Sequence, residues 1–218
     1  MVLTNEEKLL FSTQGYLLLQ DIFSSDWLAQ IDTIITFNIE QRHLTLPATS
    51  HEIYTIAGLI EKIPALHDYL CSNKIITLAK EILGIDIRLL NNQLIVKPPY
   101  CLEQVCWHRD CEYENLKRDQ AVTFWFPFTV VHSQNGCLWY IPGSHLIFDD
   151  QQENANPVEP IQLAMGIGDL AIHSAGMLHR SGPNYTDSIR KALMLEFIKA
   201  DAYNIRTGQL FEEAIIIR

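Results

Sequence analysis

The stretch Asn135-Gly136-Cys137-Leu138-Trp139-Tyr140-Ile141-Pro142-Gly143 reads as one short strand, 137–141, closed at both ends by turn chemistry. Working outward from it, the same texture holds from residue 85 onward. Strands are expected at 87–96, 104–108, 121–131, 168–173, 177–180 and 190–199, with Pro98-Pro99, Gly166, Gly168 and Ser181-Gly182-Pro183-Asn184 between them. Many short strands separated by turns argue a sandwich or a barrel-like jelly roll.

Upstream the pattern is helical. Thr4 with Glu7 three residues on forms a capping box, so a first helix starts there and ends near Gly15. Residues 16–21 read as a buried strand. Ser24 or Ser25 caps a second helix carrying Trp27, Ile31, Ile34 and Ile35 at helical spacing. Residues 42–58 show no period and include Pro47, and two further helices are expected over 59–71 and 74–83, the latter stopped by Gly84. No repeat or break in composition interrupts residues 1–218. One domain is therefore expected, mainly β: a jelly-roll core over 85–200, with the helical part, 1–84, packed on an outer face.

Within the strand-rich half, Trp107-His108-Arg109-Asp110 places an imidazole and a carboxylate two residues apart. In an extended segment both leave the same face, about 7 Å apart. They make two thirds of a 2-His-1-carboxylate triad, the holder of a non-haem Fe(II) with open positions. Four histidines follow. His132 lies at an exposed strand end and His145 in a turn, whereas His173 and His179 both fall in 168–181, and spacing alone does not choose between them. Arg190 favours His179. It heads an apolar strand expected to pair antiparallel with the His179 strand, where a guanidinium can grip a carboxylate bidentately beside a metal.

With 218 residues, 48% apolar and 19% charged, the composition is that of a globular chain. The net charge of −10 argues against nucleic acid and anionic membrane surfaces as partners. The first residues lack a signal-peptide pattern, and no apolar run approaches the length of a membrane span. Cys71, Cys101, Cys106, Cys111 and Cys137 are an odd set without C-x-x-C spacing. Cys101, Cys106 and Cys111 recur every five residues around the H-x-D; reduced thiols near an iron site are favoured over a thiolate metal site. A cytoplasmic protein is expected.

The ordered series Phe11…Gly15-Tyr16-Leu17-Leu18-Leu19, Phe23-Ser24, 93–99, 107–110, 135–145, Gly168-Asp169 and 179–184, with Arg190 eleven residues after His179, resembles the phytanoyl-CoA dioxygenase family of Fe(II)/2-oxoglutarate oxygenases along nearly the whole chain. The resemblance implies a double-stranded β-helix, or cupin-like jelly roll. It implies His108, Asp110 and His179 as iron ligands, and Arg190 with Ser181 at the distal carboxylate of 2-oxoglutarate. Gln93 and Trp125 fall where the family places residues against the co-substrate, although Trp125 also reads as a core aromatic. Fe(II), 2-oxoglutarate and O₂ would yield succinate, CO₂ and a ferryl oxidant that hydroxylates a small molecule. Related halogenases replace the carboxylate of H-x-D with a small residue; Asp110 favours hydroxylation, or another ferryl outcome such as desaturation or ring formation, over halogenation. Arg109 stands where the family often has Gln.

Two loops, 109–120 and 146–160, are expected to frame the mouth of the roll. The second carries Asp149, Asp150, Glu153 and Glu159 without Lys or Arg, which favours an amine-bearing or neutral substrate over an acyl-CoA. The segment 43–56, with His51 and Tyr54, is a further candidate for the pocket wall. Two other classes compete: a cupin-like metalloenzyme that dispenses with 2-oxoglutarate, and a non-catalytic binding protein that keeps the fold.

Overall fold

The computed structural model describes residues 2–41, 51–84, 86–147 and 158–217. Helix α1, Asn5–Gln14, starts at the expected capping box, in which the Thr4 hydroxyl accepts from the Glu7 amide and the Glu7 carboxylate accepts from the Thr4 amide. Gly15 ends the helix at φ 80°, and a Cβ there would strike the His145 ring and Met177. The chain turns directly into β1, Tyr16–Leu19, which alternates half-buried and buried residues. Ser24 caps α2, Ser25–Glu40, whose Leu28, Ile31 and Ile35 are buried.

Two expectations between residues 42 and 71 require correction. The segment read as irregular contains a strand, β2, Tyr54–Ala57, which pairs antiparallel with Gln93–Val96. The helix expected over 59–71 is broken into α3, Leu59–Lys62, a 3₁₀ turn, Pro64–Leu66, and α4, His67–Leu70. Pro64 is the cause: it lacks an amide to continue α3 and disfavours helical backbone at Ile63 before it. Helix α5, Asn73–Leu83, follows as expected and ends at Gly84.

The strands are β3, Ile87–Lys97; β4, Val105–His108; β5, Ala121–Pro127; β6, Leu138–Tyr140; β7, Ile161–Leu163; β8, Leu170–Ser174; β9, His179–Ser181; β10, Arg190–Lys199; and β11, Ile215–Ile216. A five-residue helix, α6, Asp110–Glu114, interrupts the expected loop at 109–120. Strands β7 and β11 have no counterpart among the strands expected from the sequence. A seven-stranded sheet runs β1-β8-β5-β10-β3-β11, with β2 also on β3, and a four-stranded sheet runs β4-β9-β6-β7. β3 is long enough to take β11 at Arg88 and Leu89 and β2 at Gln93–Val96. All neighbouring pairs are antiparallel. These are the two facing sheets of a jelly roll.

The large sheet is covered on both faces, so its strands read as near-continuous apolar runs. Phe124, Phe126, Leu193, Leu195 and Phe197 share one cluster with Leu28, Ile31, Leu66, Ile75 and Leu78 of the helices. The helical part therefore packs on the outer face. Trp125, Ala171 and Ala192 of the inner face join Leu138, Tyr140 and Leu163 of the small sheet. The pairing expected between Arg190 and the His179 strand is overturned. β10 lies between β3 and β5 in the large sheet, while β9 lies between β4 and β6 in the small one. Arg190 thus reaches the His179 region across the gap between sheets. Among the described residues no helix is long and apolar enough to cross a membrane.

Candidate active site

Two rows of side chains, one on each sheet, meet between the layers. On the small sheet the register places His108 opposite His179, and His179 opposite Tyr140. The two imidazoles lie 4.1 Å apart between ring centroids. On the large sheet Asn91 is opposite Glu196, Glu196 opposite Thr123, Thr123 opposite His173, and His173 opposite Tyr16. Period-two alternation sends each row toward the other.

Asp110 joins the rows. Arg109 is extended at φ −122°, ψ 131°, which keeps His108 and Asp110 on one side although β4 ends at His108 and α6 begins at Asp110. Arg109 is itself buried and donates to the Ser144 carbonyl at 2.9 Å and to the Gly176 carbonyl. Asp110 Oδ1 lies 3.5 Å from His108 Nε2 and 3.5 Å from His179 Nε2. These three residues offer ligand atoms within 4.8 Å of one another and form the group able to hold a metal ion among the described residues.

The tautomers follow from the second ring nitrogens. His108 Nδ1–H donates to the Cys106 carbonyl at 2.8 Å, and His179 Nδ1–H to the Met177 carbonyl at 3.0 Å. In each, Nε2 faces Asp110 Oδ1. Burial pushes His179 down to about 3, against the pull of Asp110, so its imidazole stays neutral. His108 is also penalised by burial, yet its hydrogen bonds to Asp110 and the Cys106 carbonyl raise it above 6.5. Burial alone would raise the Asp110 carboxyl; its coupling to His179 and the hydrogen bonds of His108 and His173 hold it well below the usual carboxylate range.

His173, the competing ligand candidate, has a different place. Its Nε2–H donates to Asp110 Oδ2 at 2.9 Å, and its Nδ1 accepts from the Tyr140 hydroxyl at 2.8 Å. The Thr123 hydroxyl donates to the same Asp110 oxygen at 2.6 Å. Both His173 nitrogens are occupied, so it orients the carboxylate from behind. Sequence reading missed this Tyr140–His173–Asp110 chain, since it depends on pairings across both sheets.

The triad opens into a cavity of about 400 Å³. Gln93, Trp125, Ser181 and Arg190 all line it, as do Ile53 and Thr55 from β2 and the turn before it. His51 is exposed, and Tyr54 packs on the opposite face with the helical core. Asp149, Asp150 and Glu153 of the expected acidic loop lie outside the described residues, and Glu159 is exposed.

Arg190 is 1% exposed, and its Nε and Nη1 have no hydrogen-bond partner. Its guanidinium lies 5.5 Å from the Trp125 ring centroid. Lys97, its register partner on β3, is fully buried too and donates to the Ser181 and Gly182 carbonyls. Burial, with Arg190 adding to it, pushes Lys97 down to about 7; burial lowers Arg190 to about 10. Gly136, at φ 87°, borders this pair: a Cβ there would come within 2.9 Å of both Lys97 Cδ and the Gly182 carbonyl. Lys97 had a signal in the sequence, as a charged residue closing the apolar run Leu94-Ile95-Val96.

Sequence and fold comparisons fit this geometry. The family described as phytanoyl-CoA dioxygenase (PhyH) matches residues 11–192. The chain belongs to that family. Among curated members of similar sequence, a probable alpha-ketoglutarate-dependent hypophosphite dioxygenase of Stutzerimonas stutzeri is 28% identical over 157 residues, 64% of this chain and 54% of its own length. The peroxisomal phytanoyl-CoA dioxygenase of Homo sapiens is 26% identical over 153 residues, 61% of this chain and 45% of its own. The chain thus spans about half the length of the curated relatives it matches. The non-heme alpha ketoglutarate dependent carbocyclase SnoK from nogalamycin biosynthesis superposes with a TM-score of 0.82 at 20% identity, covering 99% of this chain and 97% of that one. EctD from S. alaskensis, solved with 2-oxoglutarate and 5-hydroxyectoine, gives 0.78 at 20% identity over 95% and 78%. Both bear out the jelly roll expected for the PhyH chain.

Glu196 adds a pH dependence to the site's stability. Burial, with the negative charge of Asp110 adding to it, raises its carboxyl from the ordinary 4.5 to about 8. A carboxyl raised on folding favours the fold in its protonated form. That contribution is full below about 4.5 and is lost as pH rises through about 8. Glu196→Gln is expected to raise the melting temperature of the metal-free protein more at pH 9 than at pH 5, as read by calorimetry.

Proposed function

We propose that this protein is an Fe(II)/2-oxoglutarate-dependent dioxygenase that hydroxylates a small molecule. The observation that carries the reading is the unpartnered, buried Arg190 guanidinium opening on the same cavity as His108, Asp110 and His179. Two imidazole nitrogens and one carboxylate oxygen are the donor set suited to Fe(II), and two buried cations suit a carboxylate.

His108 and His179 would hold iron through Nε2, and Asp110 through Oδ1. Bound iron with 2-oxoglutarate supplies the means of activating O₂ for insertion into a C–H bond, with release of succinate and CO₂. The chain's own residues position and enclose. Arg190 would take the distal carboxylate of 2-oxoglutarate with Ser181 alongside, Lys97 would add a second positive charge, and Trp125 would flank the guanidinium. Gln93, one register pair from Trp125's partner Met194, would border the co-substrate on the β3 side. Thr123 and His173 keep Asp110 Oδ2 engaged, which fixes Oδ1 toward the metal position. Asp110 itself supports hydroxylation over halogenation, since it fills the position that a halide would need.

Residues 1–218 are read as one domain, in a cytoplasmic protein whose substrate is amine-bearing or neutral, in keeping with the net charge of −10. Anaerobic titration with Fe(II) and 2-oxoglutarate tests the proposal: a weak visible charge-transfer band is expected, and bound iron without it overturns the reading. The Asp110 support gives a second expectation. His173→Phe should lower Fe(II) affinity about 10- to 100-fold in a metal-competition titration, while 2-oxoglutarate still binds to the metal-loaded variant.

A further inference from the structure

The inner face of the large sheet is polarised. Arg190 and Lys97 stand opposite each other at one end of the β10–β3 ladder, and Glu196 and Asn91 stand opposite each other six residues along. That offset is about 20 Å of strand. Met194 and Gln93 lie between. All but Lys97 line the cavity.

Glu196 is 3% exposed, and its side chain meets the cavity from within an otherwise apolar run, Leu193-Met194-Leu195-Glu196-Phe197. Asn91 Nδ2 donates to Oε2 at 2.6 Å. Oε1 has no hydrogen-bond partner. An unsatisfied buried oxygen costs about 1–3 kcal/mol, and this carboxyl, which burial raises to about 8, exchanges its proton for a cation supplied from outside the chain. Glu114, half-buried at the end of α6, lines the same part of the cavity. Its charge and that of Asp110 act on Glu196 in the same direction, raising it. The field that disfavours a third negative charge favours a positive one.

We propose that Glu196, oriented by Asn91 and backed by Glu114, is the substrate-recognition carboxylate of the cavity and takes a cationic nitrogen, an ammonium or amidinium group. The inference rests on the oxygenase reading and specifies its substrate class. Thr123 is the register neighbour of Glu196 and donates to Asp110, so a cation on Oε1 sits one strand away from the residue beneath the metal position. A C–H bond a few atoms from that nitrogen would face the metal, while the carboxylate co-substrate occupies the Arg190 end. The two ends thereby sort the two reactants by charge.

The test uses cyclohexylammonium, cyclohexanol and cyclohexanecarboxylate as probes of one shape and three charges, with binding to the wild-type protein, saturated anaerobically with Fe(II) and 2-oxoglutarate so that Asp110 and the Arg190 end are already engaged, read by calorimetric titration. The ammonium is expected to bind about tenfold tighter than either of the others. Glu196→Gln should reduce that preference to less than about threefold. Equal binding of the alcohol or carboxylate by the wild-type chain overturns the assignment, as does an unchanged preference in a folded Glu196→Gln variant. The wild-type comparison needs no variant to fold. Titration of 2-oxoglutarate into the wild-type protein, followed separately, reads the co-substrate assignment alone, so the two failures are told apart.

Discussion

Arg190→Ala is expected to abolish 2-oxoglutarate-dependent turnover, with co-substrate affinity falling about 10²–10³-fold. The size of the effect follows from position. A guanidinium that is 1% exposed, with Nε and Nη1 unpartnered, has given up water without receiving protein acceptors in exchange. The arriving carboxylate supplies those acceptors, and in a buried site such charge-assisted bonds are worth several kcal/mol. Lys97 does not replace it. Its ammonium is committed to the backbone carbonyls of Ser181 and Gly182, and it sits near 7, so part of the population is neutral at physiological pH. Removing Arg190 relieves part of what lowers Lys97, and the added charge offers a point cation without the planar fork. Succinate release and calorimetric titration of 2-oxoglutarate read the result. Full activity in the alanine variant would support a cupin-like metalloenzyme that works without this co-substrate.

The route from sequence to this site is uneven, and the unevenness has physical causes. Features governed by near neighbours were legible. The capping box at Thr4, the stop at Gly84, the H-x-D spacing and the turns around 137–141 each depend on a few adjacent residues. β2 was not legible because a four-residue strand has little pattern of its own; the free edge of β3 makes it a strand. The partner of the Arg190 strand differs from the expected one for a related reason. β9 and β10 are consecutive in sequence, and consecutive antiparallel strands often pair. In a jelly roll the chain instead crosses between sheets, and Arg190 meets the His179 region face to face.

Residue roles divide the same way. His108 and Asp110 were readable from their own spacing. Spacing does not separate His173 from His179; Arg190 and the family resemblance favour His179, and the physical reason is that β8 lies in one sheet and β9 in the other. Glu196 and Lys97 carry a signal that reading for motifs passes over: each is a charge inside an apolar strand, a costly placement unless something binds it.

Asp110→Gly is expected to cost both metal affinity and hydroxylation, with turnover falling below detection in a succinate assay. Asp110 has two jobs that the replacement removes together. Its Oδ1 faces both imidazole Nε2 atoms at 3.5 Å, and its Oδ2 accepts from His173 and Thr123. Without the carboxylate the metal position loses the anionic group that the triad offers it, and two buried donors lose their acceptor at about 1–3 kcal/mol each. Asp110→Asn separates the two jobs. An asparagine can turn its carbonyl toward His173 and Thr123 and present its amide, a poor ligand, to the metal position. Its melting temperature should stay closer to wild type than that of Asp110→Gly, while Fe(II) affinity in a competition titration falls in both. If added chloride restores turnover to Asp110→Gly with halogenated product, the vacated position accepts a halide, and the carboxylate alone then sets the choice of hydroxylation.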